Sequence, residues 1–240
     1  MDDYVTRVYA LIAAEPVADR GPAGLSATMR RLCTAVGRAV DAHGVGMTVM
    51  APDGVRGMSA ASDPATERLE DLQLTLGEGP CIDAFERRVP VLVPNLADEM
   101  ARWPVYAPEV HAGGIRAVFA FPLQTGGARL GVLDVFRGEP GSLSNEALAL
   151  CLTFADAAVA SLLDGEEHRH PTAADDGLGD SLGVNTVLFQ AQGMVMVQLK
   201  VPLAEAMARI RARAYAENRP LTEIAADVVA RRLSFDQDRQ

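Results

Sequence analysis

Residues 184–233 read VNTVLFQAQGMVMVQLKVPLAEAMARIRARAYAENRPLTEIAADVVARRL, and their spacing decides the C-terminal fold. Val187, Leu188, Ala191, Met194 and Val195 recur at three- and four-residue intervals, which marks one face of a helix. Phe189, Met196, Val197 and Leu199 lie off that stripe, so this helix is apolar on two sides and needs two packing partners. Pro202 opens a second helix, because proline fits a first turn and breaks an interior. Leu203, Ala206, Met207, Ile210 and Ala214 form its buried stripe. After a turn at Arg219-Pro220, Leu221, Ile224, Ala225, Val228 and Val229 repeat the helical period. The expectation is a three-helix bundle over residues 184–235. Gly193 is its oddity, since a glycine inside a helix costs roughly 1 kcal/mol relative to alanine. Either a tolerated glycine or a close approach by another backbone or ligand accounts for it.

Charge sets this segment apart from the rest. Residues 184–240 hold 8 Lys/Arg against 6 Asp/Glu, whereas the remainder holds 14 against 26 and gives the chain its net −10. Nucleic-acid affinity comes largely from neutralising phosphates, so the segment is only weakly marked for that role. Arg209 and Arg213 sit one helical turn apart, while Arg211 points another way; Lys200, Arg219, Arg231 and Arg232 join them. Tyr215 is the aromatic of the second helix, placed either to stack on an unpaired base or to pack across the bundle edge.

Taken together, Ala191-x-Gly193-x-x-Met196, Glu205-Ala206, Ile210-Arg211-x-x-Ala214 and Arg219-x-Leu221-x-x-x-Ala225 resemble the ANTAR family. That resemblance implies RNA binding and transcription antitermination, typically by dimers that recognise paired hairpin loops in a transcript leader. The RNA-contacting candidates are then Gln192, Gly193, Arg209, Arg211, Arg213, Tyr215 and Arg219. Many members carry lysine where this chain has Gln192, which keeps hydrogen-bonding capacity but loses the charge that attracts phosphate.

Upstream, residues 25–163 are long enough for one further core. Leu25, Met29, Leu32, Val36 and Val40 outline a helix. Strand-like runs follow at Val45–Ala51, Val55–Ala60, Val89–Val93, Ile115–Leu123 and Leu130–Phe136, and a long apolar-striped helix runs from about Asn145 to Leu163. Asp53-Gly54 and Gly126-Gly127 are hairpin signals between the first two and the last two strands. Two hairpins bracketing a helix-and-loop insertion predict an antiparallel sheet with helices on its faces, an α+β domain.

The motif Leu76-Gly77-Glu78-Gly79-Pro80-Cys81-Ile82-Asp83-Ala84-Phe85, followed by the Pro90–Pro94 strand and the two later strands, resembles a GAF domain. The resemblance implies a regulatory sensory fold with a small-molecule ligand or signal. Glu78, Gly79 and Cys81 are the sensing candidates, with the ligand or cofactor undefined. The Asn-Lys…Phe…Asp-Glu signature of cyclic-nucleotide-binding members is missing, which disfavours that ligand. Gly77 and Gly79 permit backbone conformations that a β-carbon obstructs, and Pro80 suits the first turn of a helix. Amides at that helix start either hold an anion or simply make a turn-to-helix junction.

Cys81 at a helix start is a candidate reactive thiol, although free cysteine is also a common buried residue. Cys33 and Cys151 show no C-x-x-C spacing, and three cysteines fit a reducing cytoplasm better than a disulfide framework. His43, His111, His168 and His170 are scattered, so no metal site is expected. No phosphate loop, nucleophile elbow or dinucleotide fingerprint appears in context, and the chain is read as a non-enzyme.

The organisation expected is a helical segment at 1–24 for packing or dimerisation, the sensory domain at 25–163 and a linker at 164–183. The RNA-binding bundle at 184–235 and a tail at 236–240 follow. No secretory leader and no eighteen-residue apolar run are read, so no membrane span is expected. The function that these readings imply is a signal-responsive, homodimeric RNA-binding antitermination regulator. The alternative is a sensor whose C-terminal bundle binds a protein.

Overall fold

Alternation of side chains along five strands sorts the N-terminal domain into two buried faces of a single sheet. The computed structural model describes residues 2–16, 25–50, 56–167 and 186–235. Strands β1 (Gly44–Met50), β2 (Arg56–Ala61), β3 (Val91–Val93), β4 (Ala117–Thr125) and β5 (Ala128–Arg137) pair in the order β2-β1-β5-β4-β3. Every pairing is antiparallel, as the hairpin reading predicts. Gly126, at φ 53°, turns β4 into β5 with Thr125 opposite Ala128, a two-residue loop of the type glycine favours. The Asp53-Gly54 hairpin signal lies outside the described residues.

One face carries Val45, Met47, Phe119, Phe121, Leu133 and Val135 into helices α1 (Asp2–Ala14), α2 (Leu25–Ala39) and α6 (Asn145–Glu167). Helix α1 is a packing element: Val8 is fully buried, and Arg7 pairs with Glu146 of α6 at 2.6 Å. The other face carries Met50, Val118, Ala120, Val132 and Phe136 into α3 (Pro64–Leu76), α4 (Pro80–Arg87), a 3₁₀ turn (Leu96–Glu99) and α5 (Tyr106–Ala112). Asp63 caps α3 through two backbone N–H groups, with Pro64 at its first position.

Two sequence expectations need correction. Asn145–Asp164 of α6 is in fact long and apolar enough, by length and composition, to cross a membrane. The reason is its position, since Leu150, Cys151, Phe154, Ala158 and Leu162 are buried between the sheet, α1 and α2, and a helix covered on several sides is apolar all round. In addition, α6 continues to Glu167, into the segment read as linker from residue 164. The rest of that linker and the tail lie outside the described residues.

Helices α7 (Thr186–Leu199), α8 (Leu203–Glu217) and α9 (Leu221–Val229) form the C-terminal bundle. Leu188, Ala191, Val195, Ala206, Met207, Ile210, Ala214, Leu221, Ile224, Ala225 and Val228 make its core. Pro202 and Pro220 immediately precede α8 and α9, and Asn218, left-handed at φ 51°, ends α8 by donating its N–H to Ala214. Leu203, read as part of the buried stripe, is 37% exposed because it begins its helix at the bundle rim. Of the second apolar set on α7, Phe189, Met196 and Leu199 pack on the core, whereas Val197 is exposed. Helix α8 also touches α3 of the sensory domain.

Candidate functional site

The second sheet face contains a buried polar cluster. Asp134 interrupts the apolar run of β5, and alternation turns it toward α3 and α4 beside Val132 and Phe136. Its pairing partner on β1 is Gly46, where a β-carbon would run into the Glu70 carboxylate; the missing side chain makes room for Glu70 above the sheet. Glu70 and Gln73 lie on one face of α3 at i,i+3 spacing. Thr48 Oγ1 donates to Glu70 Oε2 at 2.8 Å. Gln73 Nε2 donates to Asp134 Oδ2 at 3.2 Å, and Gln73 Oε1 accepts the Cys81 N–H at 2.8 Å. Thr48, Glu70, Gln73, Cys81, Tyr106 and Asp134 are all fully buried.

Burial pushes the Asp134 carboxyl up, while hydrogen bonds from Glu70, Cys81 and Gln73 pull the other way. Burial, reinforced by Asp134, Glu70 and Cys81, raises the Tyr106 phenol well above its ordinary value. The ligand atoms of Glu70, Cys81 and Asp134 all lie within 4.8 Å of one another. Asp134 Oδ1 and the Tyr106 hydroxyl have no hydrogen-bond partner among the described residues.

Of the sensing candidates, Glu78 and Gly79 form the turn between α3 and α4, and Cys81 is the second residue of α4. Gly77 ends α3 at φ 71°, and Gly79 precedes α4 at φ 133°. Glu78 Oε1 accepts the N–H groups of Val105 and Tyr106, each at 2.8 Å, and so fixes the start of α5 and the placement of Tyr106. Cys81 is buried, and its N–H is engaged by Gln73. Pro80 has no N–H, so the anion-cradle reading of this helix start fails on its first two amides. Asp83 pairs with Arg102 at 2.6 Å. The other thiols are sealed in the apolar face, where burial pushes Cys151 up to about 12 and Cys33 higher still.

On α8 the arginines divide as their spacing predicts. Arg209 pairs with Glu205 at 3.0 Å, and Arg213 pairs with Glu217, both on the exposed side. Arg219 reaches Glu217 at 3.1 Å, Glu223 at 3.3 Å and Asp227 at 2.7 Å. Arg211 instead turns to the sensory domain, where a β-carbon on Gly77 would stand 3.0 Å from its Nη1. Its Nε is closed off from solvent with no hydrogen-bond partner among the described residues, and burial lowers its pKa. A cleft of about 330 Å³ between Leu76, Gly77 and Val105 on one side and Ala208, Arg211 and Tyr215 on the other marks the contact.

Residues 22–164 match the family model of the GAF domain. The chain belongs to the GAF family. Residues 178–229 match the ANTAR domain, so a GAF domain and an ANTAR domain stand in one chain; both are regulatory rather than catalytic families. No curated protein matches the sequence. Among solved structures, the GAF domain from a phosphoenolpyruvate-protein phosphotransferase of Coxiella burnetii is similar at 18% identity and a TM-score of 0.52. That match covers 69% of this chain and 94% of the other. Free methionine-R-sulfoxide reductase from Neisseria meningitidis, in complex with its substrate, is similar at 12% identity and a TM-score of 0.50, covering 70% and 91%. These likenesses concern the fold.

Within the ANTAR domain, the remaining candidates occupy different environments. Gln192 is 2% exposed, and its Nε2 donates to Leu203 O at 2.9 Å, which ties α7 to the start of α8. Gly193 borders a groove of about 690 Å³ with Met194, Val197 and Leu233, and an added β-carbon there meets nothing. Tyr215 is 56% exposed beside the GAF contact. Within the GAF domain, sequence reading missed Glu70, Gln73, Tyr106 and Asp134. The available signal was an aspartate inside the apolar run Val132–Phe136, which has no place in a buried strand without polar neighbours.

Proposed function

We propose that this protein is a cytoplasmic, signal-responsive transcription antitermination regulator in which the GAF domain controls RNA binding by the ANTAR bundle. The observation that carries the proposal is the contact between Gly77 and Arg211. Gly77 belongs to the same turn as Glu78 and Gly79, which leads into α4 and Cys81 of the buried cluster. A ligand or signal that rearranges that turn acts directly on Arg211 and on the adjacent Tyr215. Arg209, Arg213, Tyr215, Arg219 and Gly193 offer the hairpin-binding surface, with Gln192 bracing α7 against α8 from within. Arg211 joins the surface when α8 leaves the GAF domain. Two arrangements of α8, biased by the signal, are what such control requires. The groove along Gly193, Met194, Val197 and Leu233 supports a homodimer, since it leaves Val197 uncovered.

The competing reading, a bundle that binds a protein, draws support from the carboxylates already paired with Arg209, Arg213 and Arg219. Crosslinking in cells with sequencing of attached RNA separates the two. Antitermination expects enrichment of transcript leaders with paired hairpins near terminators, and salt-sensitive binding that Arg219→Ala weakens. RNA at background level under both resting and stress conditions, with a protein copurifying, selects the other reading.

A further inference from the structure

We propose that Glu70, Cys81 and Asp134 form a binding site for one divalent metal ion of borderline softness, with zinc the ion that best suits the donors. The three donor atoms come from α3, α4 and β5 and lie within 4.8 Å of one another in a fully buried setting. Ligands of one tetrahedral zinc stand about 3.3–3.8 Å apart, given bonds of roughly 2.0–2.3 Å, so the cluster is close to the bite of a single ion. A thiolate beside two carboxylates excludes calcium and magnesium, which take oxygen ligands, and suits zinc and its neighbours.

A second observation points to an ion independently of the acidic pair. The Tyr106 hydroxyl is enclosed with no hydrogen-bond partner among the described residues. Tyr106 senses Asp134, Glu70 and Cys81 electrostatically, so its hydroxyl faces this cluster. An unmade polar contact in a dry interior is costly, and an ion held beside Tyr106 satisfies the demand. Supporting contacts are already in place. Thr48 holds Glu70, Gln73 bridges Asp134 and the Cys81 backbone, and Glu78 fixes the start of the Tyr106 helix. Such outer contacts orient metal ligands. Gly46 and Gly79 leave the space that Glu70 and Gln73 occupy. This inference goes beyond the regulatory reading and stands whether or not the protein binds RNA.

The test uses the full chain, stripped by chelator and titrated with cobalt(II) alone. One equivalent is expected to bind, with a thiolate-to-cobalt charge-transfer band in the near ultraviolet that zinc(II) then abolishes. Cys33→Ser and Cys151→Ser retain the band, Cys81→Ser removes it, and Asp134→Asn weakens uptake more than about tenfold. The unaltered chain decides the matter even where a variant fails to fold. No stoichiometric cobalt, cobalt bound without a sulfur band, or a band that survives Cys81→Ser overturns the proposal.

Discussion

The GAF domain and the ANTAR bundle treat polar groups in opposite ways. The GAF domain encloses two carboxylates, a phenol and a thiol beneath one sheet face, and leaves the opposite face to an apolar core with two inert thiols. The ANTAR bundle keeps most of its charge at the surface, with Arg209, Arg213 and Arg219 paired to exposed or half-buried carboxylates, and among the described residues Gln192 is its buried polar side chain. Burying a polar group costs free energy unless it is matched, whereas an exposed ion pair contributes little either way. Under the proposed function, a signal would act on the GAF domain by changing what fills or matches a closed cluster. A partner of the ANTAR bundle would compete for arginines that are already at the surface.

The most damaging way to break the comparison is in the apolar GAF core. Phe154 is fully buried, and Phe154→Ala is expected to lower stability by about 3–5 kcal/mol, read as a shift in the urea midpoint. Gly46→Ala is the next step, because its methyl collides with the Glu70 carboxylate. Overpacking of this kind costs roughly 1–3 kcal/mol. Gly37→Ala sharpens the contrast: on the apolar side an added β-carbon meets Val45 at 3.6 Å, ordinary contact. There a helical glycine replaced by alanine is expected to stabilise by about 0.5–1 kcal/mol. Equal responses at the two glycines would remove the distinction between the faces.

Local pattern carried most of the fold. The ANTAR helices announce themselves by spacing and by Pro202 and Pro220, and the β4–β5 hairpin by Gly126-Gly127. The same spacing separated Arg211 from Arg209 and Arg213 before any contact was known. What Arg211 touches was not legible, because Gly77 lies far away in the chain and only tertiary docking joins them. The cluster was hidden for the same reason: Glu70, Cys81 and Asp134 share no sequence motif and meet only once β1, β5, α3 and α4 are assembled. Histidine and cysteine spacing carries no information about a cluster of this kind. Gln192 illustrates a different gap, since it falls inside a family motif yet spends its amide on Leu203.

On the ANTAR side, acid tests whether the exposed pairs contribute at all. Arg213 and Arg219 hold Glu217 below its ordinary value of 4.5, and Arg219 and Arg232 hold Asp227 below 3.8. Depressed carboxylates contribute stability above their unfolded values and lose it as pH falls through the folded ones. A small loss is therefore expected below about pH 4.5, in bundle signals such as amide exchange of α8 and α9. Arg219→Met reduces it while Arg213 and Arg232 keep their pairs, and an unchanged acid response in that variant assigns the effect elsewhere.

The smallest stability effect belongs to Arg209, and it isolates function from folding. Its pair with Glu205 is exposed on both sides, so Arg209→Ala is expected to change stability by less than about 0.5 kcal/mol. If Arg209 contacts phosphate, RNA affinity falls evenly across sequences and the salt slope drops by about one. Glu205→Gln should act in the opposite direction, freeing the guanidinium from its carboxylate without removing it. A flat response in both variants shifts the RNA surface toward Tyr215 and Arg219, nearer the GAF contact. Binding would then be more tightly coupled to the GAF domain, because the contact and the RNA would occupy adjoining turns of α8.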